Sequence, residues 1–230
     1  MAFNVQITGP TGAGGLIQGA YGNYQPSASD GSYTVDSRDV PPLLAAGFSY
    51  VRTQQQAYTL PLAPAAASVG GIVSSVALSN GTLAITHQPD VMRPVNVEVG
   101  TGTTAITAGN VAVTYVANDG TTQTDNISTV IALSTAETVG LSKCVDTITS
   151  ITVSGVVGGT SPWIRLSTTA ALGLPLAPGA IDLAVTREYD AGATIAIGTL
   201  GTALGSITPT TAPNATVTYS FFYTYTSAIS

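Results

Sequence analysis

His87 is the one histidine in 230 residues and Cys144 the one cysteine, so chemistry that relies on imidazole or thiolate must run through these two positions. As a general base His87 needs a nucleophile and an orienting carboxylate, and Asp90 is the one acid near it in sequence. The plain reading is a histidine in the loop that ends the strand 83–87. Cys144 follows Lys143, the chain's sole lysine, and a neighbouring ammonium lowers a thiol pKa. A Cys-His pair would require the fold to bring His87 to it; otherwise Cys144 is a half-buried structural residue.

The carboxylates offer a second chemistry. Asp119 with Asp125, or Asp182 with Glu188 and Asp190, could supply oxygens to calcium, although neither set has the dense alternation of an EF-hand loop. Read plainly, they are solvated turn charges and edge charges that resist strand-to-strand association. Nothing places two acids at the separation a glycosidase needs. Gly9-Pro10-Thr11-Gly12-Ala13-Gly14-Gly15 has the glycine content of a phosphate loop but lacks the Gly-Lys-Ser/Thr ending and a following helix. Asn80-Gly81-Thr82, Asn126-Ile127-Ser128 and Asn214-Ala215-Thr216 match glycosylation sequons, read as chance matches without a signal peptide. No catalytic, cofactor or metal residue is therefore expected, and the chain reads as a non-enzyme.

The elements that position these residues are strands. Residues 1–24 show neither helical nor strand periodicity and read as an extended arm. Gly31-Ser32-Tyr33-Thr34-Val35 alternates as a short strand. Asp39 can then cap a single short helix through Pro41, Pro42, Leu43 and Leu44, which Gly47 is placed to end in a left-handed conformation. Tyr58 to Ala67, rich in Pro and Ala and without charge, reads as a linker, so the expected domains are 1–66 and 67–230.

From Ile72 onward strand and turn alternate. A two-residue turn at Asn80-Gly81 would set Leu78 opposite Leu83 and Val76 opposite Ile85. Val95, Val97 and Val99 form a second run. Val111, Val113 and Tyr115 form a third, returning through Ile127 and Ile131 after a three-residue loop at Asp119-Gly120 that would set Val113 opposite Ile127. Ile148 to Val153 follows, then Ile181, Leu183 and Val185, and last Val217, Tyr219, Phe221, Tyr223 and Tyr225. These runs predict an all-β chain: an antiparallel β-sandwich of immunoglobulin-like or Greek-key type, about eight or nine strands, with an extended N-terminal arm and one short helix.

Composition limits the partners. Twelve acidic residues against six basic give a net charge of −6, too few cations to neutralise many phosphates or to dock on an anionic membrane, so neither nucleic acid nor membrane is expected. No stretch reaches the roughly 20 apolar residues of a spanning helix, and the start lacks the features of a signal peptide, so synthesis in a cytoplasm is expected. Only 8% of residues are charged, against about 25–35% on the surfaces of free soluble domains, which suits a protein packed among many neighbours. Tyr21, Tyr24, Phe48 and Tyr50 flank the arm and short helix, where a small element cannot bury them alone, and are the candidate partner contacts.

Two stretches resemble virion proteins of tailed phages. Asp30-Gly31-Ser32-Tyr33-Thr34-Val35, followed by Asp39-Val40 and Leu43-Leu44-Ala45-Ala46-Gly47-Phe48, looks like a strand-helix element of small phage head and neck proteins. Arg93-Pro94-Val95-Asn96-Val97, through Ile106 to Val111, to Asp119-Gly120-Thr121-Thr122-Gln123-Thr124 is similar to β-sandwich modules of head decoration and head-fibre proteins, as is Gly173-Leu174-Pro175. The resemblance implies a structural protein on the outer capsid surface of the virion, bound to the major capsid protein and reinforcing the head, with a homo-oligomer, a trimer by symmetry, as its natural form. It carries no active-site residue across. The alternative is a tail or fibre module that binds host glycans through exposed aromatics near Trp163 or the strand Tyr219 to Tyr225.

Overall fold

The computed structural model describes residues 4–9, 15–26, 32–132, 134–178, 180–201 and 204–229. The elements are β1 (Asn4–Thr8), β2 (Ile17–Gln18), β3 (Asn23–Tyr24), β4 (Tyr33–Asp36), α1 (Val40–Ala45), β5 (Ser49–Thr59), β6 (Val73–Ala77), β7 (Gly81–Thr82), β8 (Val95–Gly100), β9 (Ile106–Ala117), β10 (Thr122–Ser128), β11 (Ala136–Gly140), β12 (Val145–Gly158), β13 (Trp163–Thr168), β14 (Leu172–Gly173), β15 (Ile181–Asp190), β16 (Ala193–Ile195), β17 (Thr199–Gly201), β18 (Ser206–Thr208) and β19 (Tyr219–Ile229). Contacts divide them into two units: Met1–Gln56 with Ala177–Ala184 and Tyr223–Ser230, and Ala57–Leu176 with Val185–Phe222. The division falls at Gln56 and draws two later segments into the first unit, where the sequence suggested a boundary at residue 66.

The second unit is built on period-two burial. Val95, Val97 and Val99 on β8, Val111, Val113 and Tyr115 on β9, and Ile151 and Val153 on β12 are buried, and Asn96, Glu98, Ala112 and Thr114 between them are less so. Two four-stranded sheets, β10-β9-β12-β7 and β11-β8-β13-β6, turn these apolar faces into one core with Ile164, Leu166, Ile127 and Ile148. The pairing is mirrored along the chain: β6 pairs with β13, β7 with β12, β8 with β11 and β9 with β10. One long antiparallel ribbon, doubled at the β9–β10 turn, has thus been rolled so that its segments fall alternately into two sheets. That is a jelly roll of eight strands and two Greek keys. The predicted all-β Greek-key sandwich is present, in jelly-roll rather than immunoglobulin form.

This rolling changes two predicted registers. At Asn80-Gly81 there is no hairpin: Gly81 and Thr82 pair with Val153 and Thr152, and Val76 and Ala77 pair with Ile164 and Trp163, so the chain changes sheet there. Leu83 and Ile85 still pack on the core, but without Leu78 and Val76 opposite them. The β9–β10 loop does have three residues, Asn118 to Gly120, yet Val113 faces Asp125 and Ile127 faces Val111. Gly120 at φ +74° takes the left-handed third position, and the Asp119 carboxylate accepts from Thr121 N at 3.1 Å and Thr121 Oγ1 at 2.6 Å. A shift of two leaves every side chain on its predicted face.

The first unit has its own core. In it β1 lies between β4 and the start of β5, and Ile7, Tyr24, Tyr33, Val35, Val40 and Leu43 are buried together, with Phe48 packed against them. Within the segment read as an arm, β1 pairs with β4 and with β5, and β2 with β3; residues 10–14, most of the glycine-rich run, lie outside the described residues. Helix α1 begins at Val40 with the prolines in its first turn, and Gly47 at φ +89° ends it, as predicted; Asp39 stands at the N-cap, but its side chain does not make the expected capping bond.

In the second unit, the segment read as a linker is stapled down. Arg93, 0% exposed, donates to Ala65 O at 2.6 Å, Thr169 O at 3.1 Å and Asp90 Oδ2 at 2.9 Å; Asp90 Oδ2 also accepts from Ala65 N at 2.6 Å. Leu60 is buried, and Ala215 N donates to Pro64 O. The Asp90 carboxylate keeps access to water, but truncating Arg93 leaves the Ala65 and Thr169 carbonyls without their donor, so Arg93→Ala is expected to lower stability by about 1–3 kcal/mol, the scale for unmet buried acceptors. Denaturant unfolding measures it, and a loss below about 1 kcal/mol, the scale of an exposed pair, would contradict the staple.

Candidate functional site

The four aromatic residues singled out as partner contacts separate into two pairs. Tyr24 is 9% exposed and belongs to the core of the first unit, and Phe48 packs edge-on against Tyr33 with ring centroids 5.9 Å apart. The small unit buries Tyr24 and partly covers Phe48, because residues of β1, β4 and α1 pack around them. Tyr21 and Tyr50 stay 55% and 44% exposed. The Arg38 guanidinium lies 3.9 Å from the centroid of the Tyr21 ring, within cation–π distance, while two of its nitrogens grip Asp36. Tyr21 and Tyr50 therefore remain as surface rings able to meet a partner.

Asp39 organises the segment that carries Tyr21. Although it stands at the N-cap of α1, its side chain makes no capping bond. Its carboxylate instead accepts from Ala20 N and Tyr21 N, both at 3.0 Å, and from the Tyr24 hydroxyl at 2.6 Å. A Cβ at Gly19 would fall 2.2 Å from Asp39 Oδ2, so only glycine lets the chain pass so close. The Tyr24 hydroxyl bond holds the Asp39 carboxyl below the ordinary value of 3.8, and burial raises the Tyr24 phenol.

Neither chemical candidate assembles into a site with the other. His87 is exposed, its backbone N–H bonded to Ile72 O, and Asp90 is taken by Arg93. Cys144 is 0% exposed, and burial pushes its thiol up to about 12. Lys143, the expected activator, bonds to Asp119 instead. Asp125 accepts from Ser142 N, Ser142 Oγ and the Tyr115 hydroxyl, whose pKa burial lifts to about 12. The carboxylates at 119 and 125 thus hold loops together.

Trp163 is half-buried, with Arg165 5.1 Å from its ring centroid and doubly bonded to Glu98. Tyr219, Phe221, Tyr223 and Tyr225 are buried, so that strand face offers no platform for a sugar; Phe222, on the other face, is 41% exposed and packs on Tyr189. Asp182 accepts from Thr226 Oγ1 in the first unit. In the second unit Glu188 and Asp190 are 0% and 8% exposed. Sequence pattern missed this burial: period two sets both opposite the apolar face of Leu183 and Val185, where charges belong in water. Among the described residues no group of three or more His, Cys, Asp or Glu gathers at a metal-binding spacing, and no helix is long and apolar enough to cross a membrane.

No protein-family model matches the chain, and no curated protein does. Two solved structures are similar over much of its length. One is of the infectious bursal disease virus Gx strain, 11% identical over 89% of this chain and 46% of that one, TM-score 0.22. The other is of the Gt strain, 13% identical over 93% and 50%, TM-score 0.18. The chain spans about half the length of each.

Two outcomes check these assignments. Asp39 has a folded pKa below its unfolded one, so its stabilisation is present above about pH 4 and is lost as pH falls through the lower folded value. Hydrogen exchange should show the Ala20 and Tyr21 amides losing protection in that acid range in the native chain, and in Asp39→Asn at neutral pH. Cys144 should resist iodoacetamide at pH 8 in the folded chain and react once denatured, read by mass; rapid labelling of the native protein would mean that the thiol is neither buried nor raised.

Proposed function

We propose that the chain is a non-enzymatic structural protein of a virus particle, which binds the outer capsid surface of a tailed phage and decorates or reinforces its head. The observation that carries this reading is the mirrored pairing of β6 to β13, since the jelly roll it defines recurs in viral capsid proteins as well as in lectins and cupins. Fold alone leaves those settings open. The surface chemistry favours the first: with 8% charged residues the chain has the exterior of a protein that ends among neighbours. The face of Tyr219 to Tyr225 that would serve a glycan is buried.

The partner is the major capsid protein, and Tyr21 and Tyr50 are the contacts. Repetition at many symmetric sites, helped by self-association as a trimer, turns a modest contact into firm retention. Because residues 1–66 contain five strands and a helix of packed structure, point variants are the sound test. The purified chain should co-sediment saturably with expanded capsid shells, and the double variant Tyr21→Ala, Tyr50→Ala should bind about tenfold or more weakly, as truncating hot-spot aromatics does. Failure of the native chain to bind would end the decoration reading; undiminished binding by the double variant would move the contact off these rings.

A further inference from the structure

Among the described residues, Asp190 is the one buried carboxylate with neither oxygen hydrogen-bonded. Asp190 is 8% exposed, and among the described residues no N–H or O–H group hydrogen-bonds either Oδ. Two residues earlier on the same face of β15, Glu188 is fully buried; its Oε2 accepts from Gly198 N at 2.7 Å and its Oε1 from Thr210 N at 3.2 Å. No basic side chain pairs with either acid among the described residues. The Tyr219 phenol lies by the same pair, but its proton goes to Thr211 O at 2.8 Å. Burial first, and then the charges of Asp190 and Glu188, raise that phenol to about 12 against a lowering pull from the Arg93 cation, which is itself paired with Asp90; burial, with Asp190's charge adding, raises the Glu188 carboxyl.

Two like charges withdrawn from water without a counter-charge are among the most costly arrangements in a protein interior. A cation answers both Asp190 oxygens together. We propose that Asp190 and Glu188 form a buried site for a hard divalent cation of the calcium class, with Asp190 as bidentate ligand and Glu188 using the lone pairs its backbone donors leave free. The side-chain groups that could ligate are carboxylate oxygens, with neither imidazole nor thiolate among them, which suits calcium or magnesium rather than zinc or copper. Calcium fits better than magnesium, because a bidentate carboxylate in an irregular set of oxygens departs from the octahedron magnesium demands. The proposal is independent of the virion reading.

The test uses the whole chain, stripped with chelator and then titrated with calcium chloride, and separately with terbium, whose emission is sensitised by a nearby tyrosine. The melting temperature of the native chain is expected to climb with the logarithm of calcium concentration. Asp190→Asn should be at least as stable as the native chain in chelator, where the stranded charge is gone, and less stable in calcium, so that the order reverses. Terbium emission should be lost in Asp190→Asn and should return to background when calcium displaces it from the native chain. If Asp190→Asn does not fold, Tyr219→Phe replaces it, and reduced terbium emission with an intact calcium response supports the site. A melting temperature blind to calcium, or emission unchanged in either variant, overturns the proposal.

Discussion

Two sheets that each carry one apolar face have to cover one another, and most of what is distinctive in the second unit follows from how the chain arranges that cover. Val95, Val97 and Val99 have no other place to go than against Val111, Val113 and Tyr115 of the facing sheet. At about 25 cal/mol per Å² of apolar surface removed from water, this core is the main stabilising term in a chain with a single cysteine and, among the described residues, few ion pairs. Rolling a single doubled ribbon achieves the cover, since each successive pair of strands crosses to the opposite sheet except at the β9–β10 turn. The turn chemistry of Asn118, Asp119 and Gly120 is therefore the pivot of the whole register.

Polar side chains finish what the apolar faces begin. Arg93 holds the segment around Ala65, and the Asn118 amide reaches Leu174 O at 2.9 Å and Gly205 O at 3.3 Å, tying the β9–β10 loop to the strands beyond the roll. Asp39 does the same in the first unit, gathering the amides of Ala20 and Tyr21. In each case a buried donor or acceptor satisfies irregular backbone that no strand pairs, which would otherwise carry the penalty of an unmet hydrogen bond. Asp190 stands apart because it has no such backbone to satisfy.

A chain assembled this way leaves a surface of Ser, Thr, Asn and Ala with scattered rings. That exterior is poor in the long charged side chains that keep free proteins apart. On it the Arg38 guanidinium stacks over the exposed Tyr21 ring, joining a cation to an apolar face at one point of the surface.

The strands were legible in the residues themselves. Alternation at 95–99, 111–115, 148–153 and 219–225 follows from the pleat, which puts successive side chains on opposite faces whatever the strand is paired with, and Gly47 could be read as a helix end because few other residues adopt its φ. Pairing was not legible. Asn80-Gly81 carries the local signal of a hairpin, yet the two flanking strands have better partners 70 or more positions away in β12 and β13, a choice that depends on the total burial of the core. The same holds for the site residues. Sequence could name Tyr21, Tyr24, Phe48 and Tyr50 as aromatic and Glu188 and Asp190 as acidic, because residue type is local. Only tertiary structure decided that Tyr24 is covered and Phe48 partly so, that Tyr21 and Tyr50 are not, and that two acids on a nominally polar face are buried, because burial is set by what distant segments lay over a side chain.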